Sequence, residues 1–329
     1  MSPISTSRGR TVPDLDGRSA RQDEAIVEAA WCYYHEGLNQ NEIAQRLGVS
    51  RASVVNYLAE ARRRDYVRIS LDTEVFRLSA LATRLRDRFG LTETLVVPAG
   101  DTERGIGRVI RAAADWLPQL LERGDRLGVA WGETIYRLAE AVPRTSVGDL
   151  TVVQLLGSRP ASLGFAAEAC SSNLARRLDA LCINLHVPLL LNDRDLCTRL
   201  KAEPVVAEQL QAVAECNKVV FAAGTCGPDS HIARTGLLSD AELAGLRDRG
   251  ATGVICGQLI DTQGQPMPSG IEDRMIGVTL DQMAAKPMGL LVAAGIDRVA
   301  ATRAALRGGF ATHLATSSDI AAELLDDDT

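Results

Sequence analysis

The stretch Asn39–Arg64, NQNEIAQRLGVSRASVVNYLAEARRR, constrains this chain more than any other, because its apolar spacing fits two short helices joined by a tight turn. Gln40–Leu47 sets Ile43, Ala44 and Leu47 on one helical face, with Asn39 placed to cap the start and Gly48 where the chain must turn. Ser50 can cap a second helix, whose Val54, Leu58 and Ala61 recur at i, i+4 and i+7. Arg51, Ser53, Asn56 and Tyr57 then fall on or beside the opposite face. The small Ala44 lets two helices cross steeply, and Gly48 tolerates the backbone of a three- to four-residue turn, as a helix-turn-helix requires. In that motif the second helix enters the major groove of DNA. Arg51, Ser53 and Asn56 are the expected base readers, flanked by Gln40, Ser50 and Tyr57. Arg62 and Arg63, with Arg64, face phosphates or solvent. The alternative, a helical hairpin inside an ordinary core, leaves the polar outer face without a purpose.

Charge points the same way. Between Arg46 and Arg68 the basic residues are Arg46, Arg51, Arg62, Arg63, Arg64 and Arg68, against Glu60 and Asp65 alone, in a chain whose formal net charge is −6. A local basic patch on an acidic protein suits phosphate contacts, makes binding salt-sensitive and confines DNA to the amino-terminal region. The acidic total excludes a nonspecific polyanion binder. Apolar runs such as Val187–Leu191 and Met288–Ile296 are far shorter than the ~20 residues of a spanning helix and are expected to be buried strands. No apolar segment follows Arg8 and Arg10, so no secretory signal is expected and the cytoplasm is the expected compartment. The seven cysteines lack C-x-x-C spacing, and the four histidines are dispersed, so neither metal, disulfide framework nor cofactor is expected. Cys226, in a Gly-rich polar loop, is the one cysteine with a candidate functional position.

Residues 1–20, rich in Ser, Thr, Arg, Gly and Pro, are expected to form a disordered tail. A DNA-binding domain is expected over 21–72. Its first helix, Arg21–His35, should turn Ile26, Ala29, Ala30 and Tyr33 inward, and Tyr66–Leu71 should form a strand or wing. In 73–90 the apolar residues Val75, Leu78, Ala82, Leu85 and Phe89 are spaced as a narrow stripe, which fits either a dimerising coiled coil or a helix packed on the next domain.

From 91 to 329 apolar strands alternate with amphipathic helices, which predicts a doubly wound, largely parallel α/β domain. The expected strands are Glu93–Pro98, Arg126–Ala130, Leu150–Leu155, Asn184–Leu190, Lys218–Ala223, Gly253–Cys256 and Gly289–Ala293. The expected helices are Thr102–Arg123, Glu133–Ala141, Phe165–Leu181, Glu203–Cys216, Ala241–Arg249 and Arg298–Arg307. Ligands in such folds bind beyond the carboxyl ends of the strands. Four ends carry suitable chemistry. Trp131-Gly132-Glu133-Thr134 runs from strand to helix, Gly157-Ser158-Arg159 follows the third strand, and Gly224–Ser230 is a Gly-rich loop containing Thr225, Cys226 and Asp229. In Gly295-Ile296-Asp297-Arg298 the arginine can pair with a phosphate. Gly105-Ile106-Gly107 is not a dinucleotide fingerprint, since Ile110 occupies the third glycine position. No nucleophile–base constellation stands out, so no catalytic residues are assigned.

The segments LNQNEIAQRLGVSRASVVNYLAEARRRDYVRISL, GDRLGVAWGETIYRLA, GATGVICGQLIDTQG and AAGIDRVAATRAALRGGFATHLATSSDIAAELL resemble, in order and spacing, the SorC-type family of sugar-responsive bacterial transcriptional regulators. The resemblance implies an amino-terminal helix-turn-helix followed by an effector domain related to sugar-phosphate isomerases and deaminases. It further implies a homodimer or homotetramer on double-stranded operator DNA, controlled by a small sugar, polyol or sugar phosphate. The family's W-G-x-T corresponds to Trp131–Thr134, its loop after the central strand to Gly224–Ser230, and its aspartate in F-x-D-x-x-G to Asp261. Two departures bear on the effector. Gly253-Val254-Ile255 stands where the family often has G-D-I, and Arg298 replaces a lysine, a change of shape and hydration that admits an unphosphorylated polyol. The competing expectation is a sugar-phosphate isomerase or deaminase fused to a DNA-binding module, separable by whether the sugar is returned unchanged.

Overall fold

The computed structural model describes residues 16–67, 69, 72–100, 102–159, 166–284 and 286–326, with side chains from residue 22 onward except that of residue 102. The chain forms two compact units that divide between Ser70 and Leu71.

The smaller unit is helical: α1 (Asp16–Tyr34), α2 (Gln40–Leu47) and α3 (Arg51–Arg63). Asp16–Ala20 belong to α1, so the part of the expected tail that is described is helical; residues 1–15 lie outside the described residues. The core joins Ile26, Ala29, Ala30 and Cys32 of α1 to Ile43, Val54, Leu58 and Ala61. Tyr33, expected inside, is 38% exposed and Cys32 takes the buried position, because the inward face of α1 runs through 26, 29, 30 and 32. Asn39 caps α2 in a reciprocal capping box: its side chain accepts from the N–H groups of Asn41 (3.0 Å) and Glu42 (3.1 Å), and its own N–H donates to the Glu42 carboxylate at 2.7 Å. Gly48, in the left-handed region at φ 65°, ends α2, and the Ser50 Oγ accepts from the Ser53 N–H at 3.1 Å to start α3. Asn39→Ala is expected to cost this unit about 1 kcal/mol, read by chemical denaturation. Of the expected wing, Arg68, Ser70 and Leu71 lie outside the described residues, and Tyr66, Val67 and Ile69 form no strand.

The larger unit opens with α4 (Thr73–Arg77) and α5 (Ala80–Phe89). The expected stripe Val75–Phe89 is thus two helices, broken where Ser79 caps α5 by accepting from the Ala82 N–H at 3.2 Å. Ala82 and Leu85 are fully buried in the core of this unit, while Val75 and Leu78 are 66% and 70% exposed.

The strands β1 (Glu93–Val97), β2 (Arg126–Val129), β3 (Thr151–Gln154), β4 (Leu181–Ile183), β5 (Lys218–Phe221), β9 (Met288–Val292) and β10 (His313–Ser317) form one sheet in the order β1-β10-β9-β5-β2-β3-β4, every pair parallel. Three shorter strands, β6 (Gly253–Ile255), β7 (Gln258–Ile260) and β8 (Pro266–Met267), make an antiparallel sheet bridged to the end of β5 through Gly224 and Val254. Alternation along the main strands splits the core by face. Leu95, Val97, Leu127, Val129, Val220, Leu290 and Val292 pack with α6 (Thr102–Trp116), α7 (Glu133–Ala141) and α8 (Glu168–Leu178). Val96, Val153, Val219, Phe221, Leu291 and Leu314 pack against α5, α10 (Pro204–Ala214), α12 (Asp240–Asp248), α14 (Val299–Arg307) and α15 (Ser318–Leu325). The sheet is doubly wound, as expected.

Several elements differ from expectation for identifiable reasons. Residues 184–190 are a loop; Leu185, Val187 and Leu189 are buried at alternate positions, as in a strand, but the first two fill a satellite cluster with Cys197, Val206 and Ile276. Pro118 ends α6 early and leaves a 3-10 turn over Leu117–Leu120. Pro204 starts α10 at N1, and a separate helix, α9 (Arg194–Ala202), precedes it. Gly253–Cys256 contributes β6 to the small sheet, not to the main one. No described helix is long and apolar enough to cross a membrane.

Candidate functional site

Two sites emerge, one in each unit. On α3, Arg51 and Asn56 are exposed, Ser53 and Tyr57 are half-buried, and Val54, Leu58 and Ala61 hold the opposite face in the core. The Arg51 Nε donates to the Gln40 Oε1 at 3.3 Å, so a residue at the start of α2 steers the first side chain of α3. The hydroxyls of Ser50 and Ser53 lie 2.9 Å apart. The basic run is less free than its composition implies. The Arg63 Nε donates to Glu60 at 2.7 Å, and Arg64 pairs with both Glu60 and Asp23. Hydrogen bonds from Arg63 and then Arg64 hold the Glu60 carboxyl down at about 2. Arg62 is exposed, its Nε donating to the Leu58 carbonyl at 3.3 Å. Arg63 and Arg64 are thus held in ion pairs with acids of the same unit.

The second site follows from sheet topology. The chain leaves β2 outward to β3 and β4, then returns to the other side of β2 for β5 and moves outward through β9 and β10. The order reverses between β2 and β5, and a crevice opens beyond their carboxyl ends. A cavity there is lined by Trp131, Gly132, Glu133 and Thr134 after β2, by Gly224, Thr225 and Asp229–Ile232 after β5, and by Asp297 and Arg298 after β9. Val254, Cys256 and Gly257 of the small sheet close one side. Thr134 is buried in the first turn of α7, and the Arg298 Nη1 donates to its hydroxyl at 3.4 Å across the crevice. The Arg298 Nε lies 4.0 Å from an Asp297 carboxylate oxygen.

Of the residues expected to bind effector, the cavity brings together Gly132, Glu133, Thr134, Gly224, Thr225, Asp229 and Arg298. Four others sit elsewhere. Gly157 is packed so closely on the chain at 188–189 that a Cβ would lie 2.7 Å from the Pro188 carbonyl oxygen. Ser158 donates to the Glu168 carboxylate and accepts from Gln154 at 3.2 Å. Cys226 is buried behind the loop; burial pushes its thiol up to about 11, and its carbonyl accepts from Arg247 at 3.0 Å. Asp261 builds the β7–β8 turn by accepting from the N–H groups of Gln263 and Gln265, each at 2.9 Å.

The cavity also contains residues that the strand-end reading missed. The loop was bounded at Ser230, yet His231 and Arg234, on the short helix α11 (His231–Arg234) capped by that serine, line the cavity too. The His231 ring meets Trp131 edge-on, with centroids 5.0 Å apart and planes at 77°. Burial first, then the charges of Arg234, Arg298 and Arg159, push His231 down to about 4, so the imidazole is neutral at physiological pH.

A helical DNA-reading unit joined to a doubly wound α/β unit with a crevice at its topological switch point defines a ligand-responsive transcriptional regulator. Comparison with known proteins agrees. A family model described as "Putative sugar-binding domain" matches residues 73–326. The chain is 35% identical over 319 residues to the uncharacterized transcriptional regulator YjhU of Escherichia coli K12, covering 95% of this chain and 97% of that protein. It is 30% identical over 316 residues to the transcriptional regulator LsrR of Enterobacter sp. strain 638, covering 94% and 95%. It is 29% identical over 310 residues to the deoxyribonucleoside regulator of Bacillus subtilis, covering 93% and 98%. Its fold is similar to that of the full-length sorbitol operon regulator SorC from Klebsiella pneumoniae, at a TM-score of 0.73 and 22% identity over 92% of this chain and 98% of that one. The chain belongs to the SorC-type family of sugar-binding transcriptional regulators.

Proposed function

We propose that this protein controls a carbohydrate or polyol catabolic operon in the cytoplasm, acting as a homodimeric or homotetrameric repressor that a small sugar, polyol or sugar phosphate switches. The observation that carries this reading is the cavity in which βα loops from β2, β5 and β9 converge. Its lining offers donors (Arg234, Arg298), acceptors (Asp229, Asp297) and hydroxyls (Thr134, Thr225, Ser230) in a space walled by Ile135, Leu189 and Val254. That mixture suits a compact, hydroxyl-rich molecule. The effector acts only if it prefers one arrangement of the paired DNA-binding units, since equal affinity for both would shift nothing. Among the described residues that line the cavity the imidazole is a weak base, and the lining otherwise consists of groups suited to holding hydroxyls, which supports reading it as a binder.

The test is fluorescence anisotropy on DNA from upstream of the protein's own gene, at fixed salt, with and without erythritol, ribitol, D-glucitol, D-ribose 5-phosphate and D-glucitol 6-phosphate. One compound that changes specific affinity and is recovered unchanged supports the reading; conversion of the compound supports the isomerase instead. In the same assay Asn56→Ala is expected to weaken the cognate site by about 1–3 kcal/mol while leaving nonspecific DNA alone. Equal weakening on every sequence would remove Asn56 from base reading.

A further inference from the structure

Trp131 and His231 present a second kind of chemistry to the cavity. Their positions are fixed by different strands: Trp131 follows β2 directly, and His231 opens α11 after β5. The rings meet edge to face at 5.0 Å, and both residues line the cavity. The Trp131 Nε1 and the His231 Nε2 are both buried, and neither has a hydrogen-bond partner among the described residues. Buried polar groups nearly always have partners, and two orphans in one crevice are uncommon enough to require a reason. The indole nitrogen can only donate. The neutral imidazole donates from one nitrogen and accepts at the other. With the imidazole proton on Nε2 both nitrogens donate and an accepting oxygen suffices. With the proton on Nδ1 the bound group must accept from the indole and donate to Nε2, so only a group able to do both serves either tautomer. A phosphate or carboxylate oxygen can serve the indole but cannot donate to an accepting Nε2. An alcohol can do both.

We propose that Trp131 and His231 form a hydroxyl-reading pair in the effector cavity, so that the effector is a polyol or sugar whose hydroxyl is bound by the Trp131 Nε1–H and the His231 Nε2. The proposal rests on the reading of this cavity as the effector site and narrows it. Arg159, Arg234 and Arg298 surround His231, with Asp229, Asp297 and Glu133 as the acids lining the same cavity. Burial first, and then the arginines, keep the imidazole uncharged. They leave it free to act as a dipolar reader while any anionic part of the effector is held elsewhere in the cavity. Discrimination is then strong against analogues lacking that hydroxyl, because they leave two buried groups unpaired.

The test is isothermal titration of the full chain with erythritol, ribitol, D-glucitol, D-ribose 5-phosphate and D-glucitol 6-phosphate, each beside its monodeoxy analogues. For the compound that binds, one monodeoxy analogue is expected to bind roughly tenfold or more weakly to the wild type. Trp131→Phe and His231→Phe keep ring packing while removing the nitrogens; each should weaken the parent compound roughly three- to tenfold and erase most of the preference over that analogue. Thermal unfolding of each variant confirms that the fold persists, and Trp131→Phe serves if His231→Phe fails to fold. Binding of the parent compound with the full deoxy preference retained in both variants overturns the pair while leaving the cavity as effector site. Silence of the wild type toward the whole panel overturns both.

Discussion

Lys218→Met is expected to destabilise the α/β unit by about 3–5 kcal/mol, as breaking a buried ion pair from one side does. The pair lies at the amino ends of β2 and β5, away from the cavity. The Lys218 Nζ sits 2.7 Å from an Asp125 carboxylate oxygen and donates to the Leu120 carbonyl at 2.6 Å; the two side chains are 14% and 7% exposed. Asn217 donates to Asp125 at 2.8 Å, and the Glu122 N–H does so at 2.7 Å. Burial pushes the Asp125 carboxyl up, but the hydrogen bonds from Lys218, Glu122 and Asn217 outweigh it and leave it below the ordinary range. A depressed folded-state value stabilises above the unfolded value near ~3.9 and is lost as the pH falls toward the folded value. Without Lys218 burial dominates, the carboxyl shifts upward, and mild acid should then narrow the gap between variant and wild type. Urea denaturation of the α/β unit between pH 4 and pH 7 measures both effects. A loss below about 1 kcal/mol would show that water reaches the pair. The double variant Asp125→Leu/Lys218→Met should recover much of the stability, because the cost lies in the orphaned carboxylate.

Gly264→Ala is the second large effect, expected at about 3–5 kcal/mol from the sum of a left-handed backbone and an overpacked contact. Gly264 has φ 76°, and a Cβ there would lie 2.4 Å from the Ala304 carbonyl oxygen and from the backbone of Gly308. The two glycines face each other, since a Cβ on Gly308 would lie 2.7 Å from the Gly264 carbonyl oxygen. Through this contact the β7–β8 turn lies directly on the end of α14. It also gives Asp261 its role, because that aspartate organises the turn carrying Gly264. Asp261→Ala should therefore lower thermal stability while leaving sugar or polyol affinity unchanged in the folded protein. A folded Asp261→Ala protein that no longer bound the compound bound by the wild type would return the residue to the effector site.

These contrasts show which physics a sequence displays. The helix-turn-helix was legible because its determinants are local: Asn39 and Ser50 cap their own helices, Gly48 ends one, and Val54, Leu58 and Ala61 repeat with the helical period. The doubly wound sheet was legible for the same reason, apart from β4, whose Leu181–Ile183 lies at the end of an expected helix and ahead of the expected strand at 184–190, and from β10. His313–Ser317 mixes His, Thr and Ser with Leu and Ala, yet all five residues are buried because β1 and β9 flank them on either side. That burial is set by partners more than twenty residues away or at the far end of the chain. Residues 184–190 are the converse, with strand-like alternation but isolated bridges at Pro188 and Leu190 in place of a ladder, and Leu185 and Val187 filling a satellite cluster. At the cavity, the rule that ligands bind at strand ends located the loops but did not say which way a side chain points. Gly157, Ser158 and Cys226 follow strands as Thr134 and Arg298 do, yet they pack against the protein, and the Asp261 carboxylate is taken up by its own turn. His231 was missed because a lone histidine one residue past a Gly-rich loop carries no pattern of its own.

The cavity takes its walls from chain segments near residues 131, 231 and 298 that only the folded sheet brings together. A molecule seated there binds the native state alone and adds about 2.7 kcal/mol to its stability at a hundredfold excess over Kd. Because the three crossovers leave the middle of the sheet, this protection cannot stay within one loop. Amide exchange should slow together at the carboxyl ends of β2, β5 and β9, so that occupancy of the crevice is registered by the centre of the sheet as a whole.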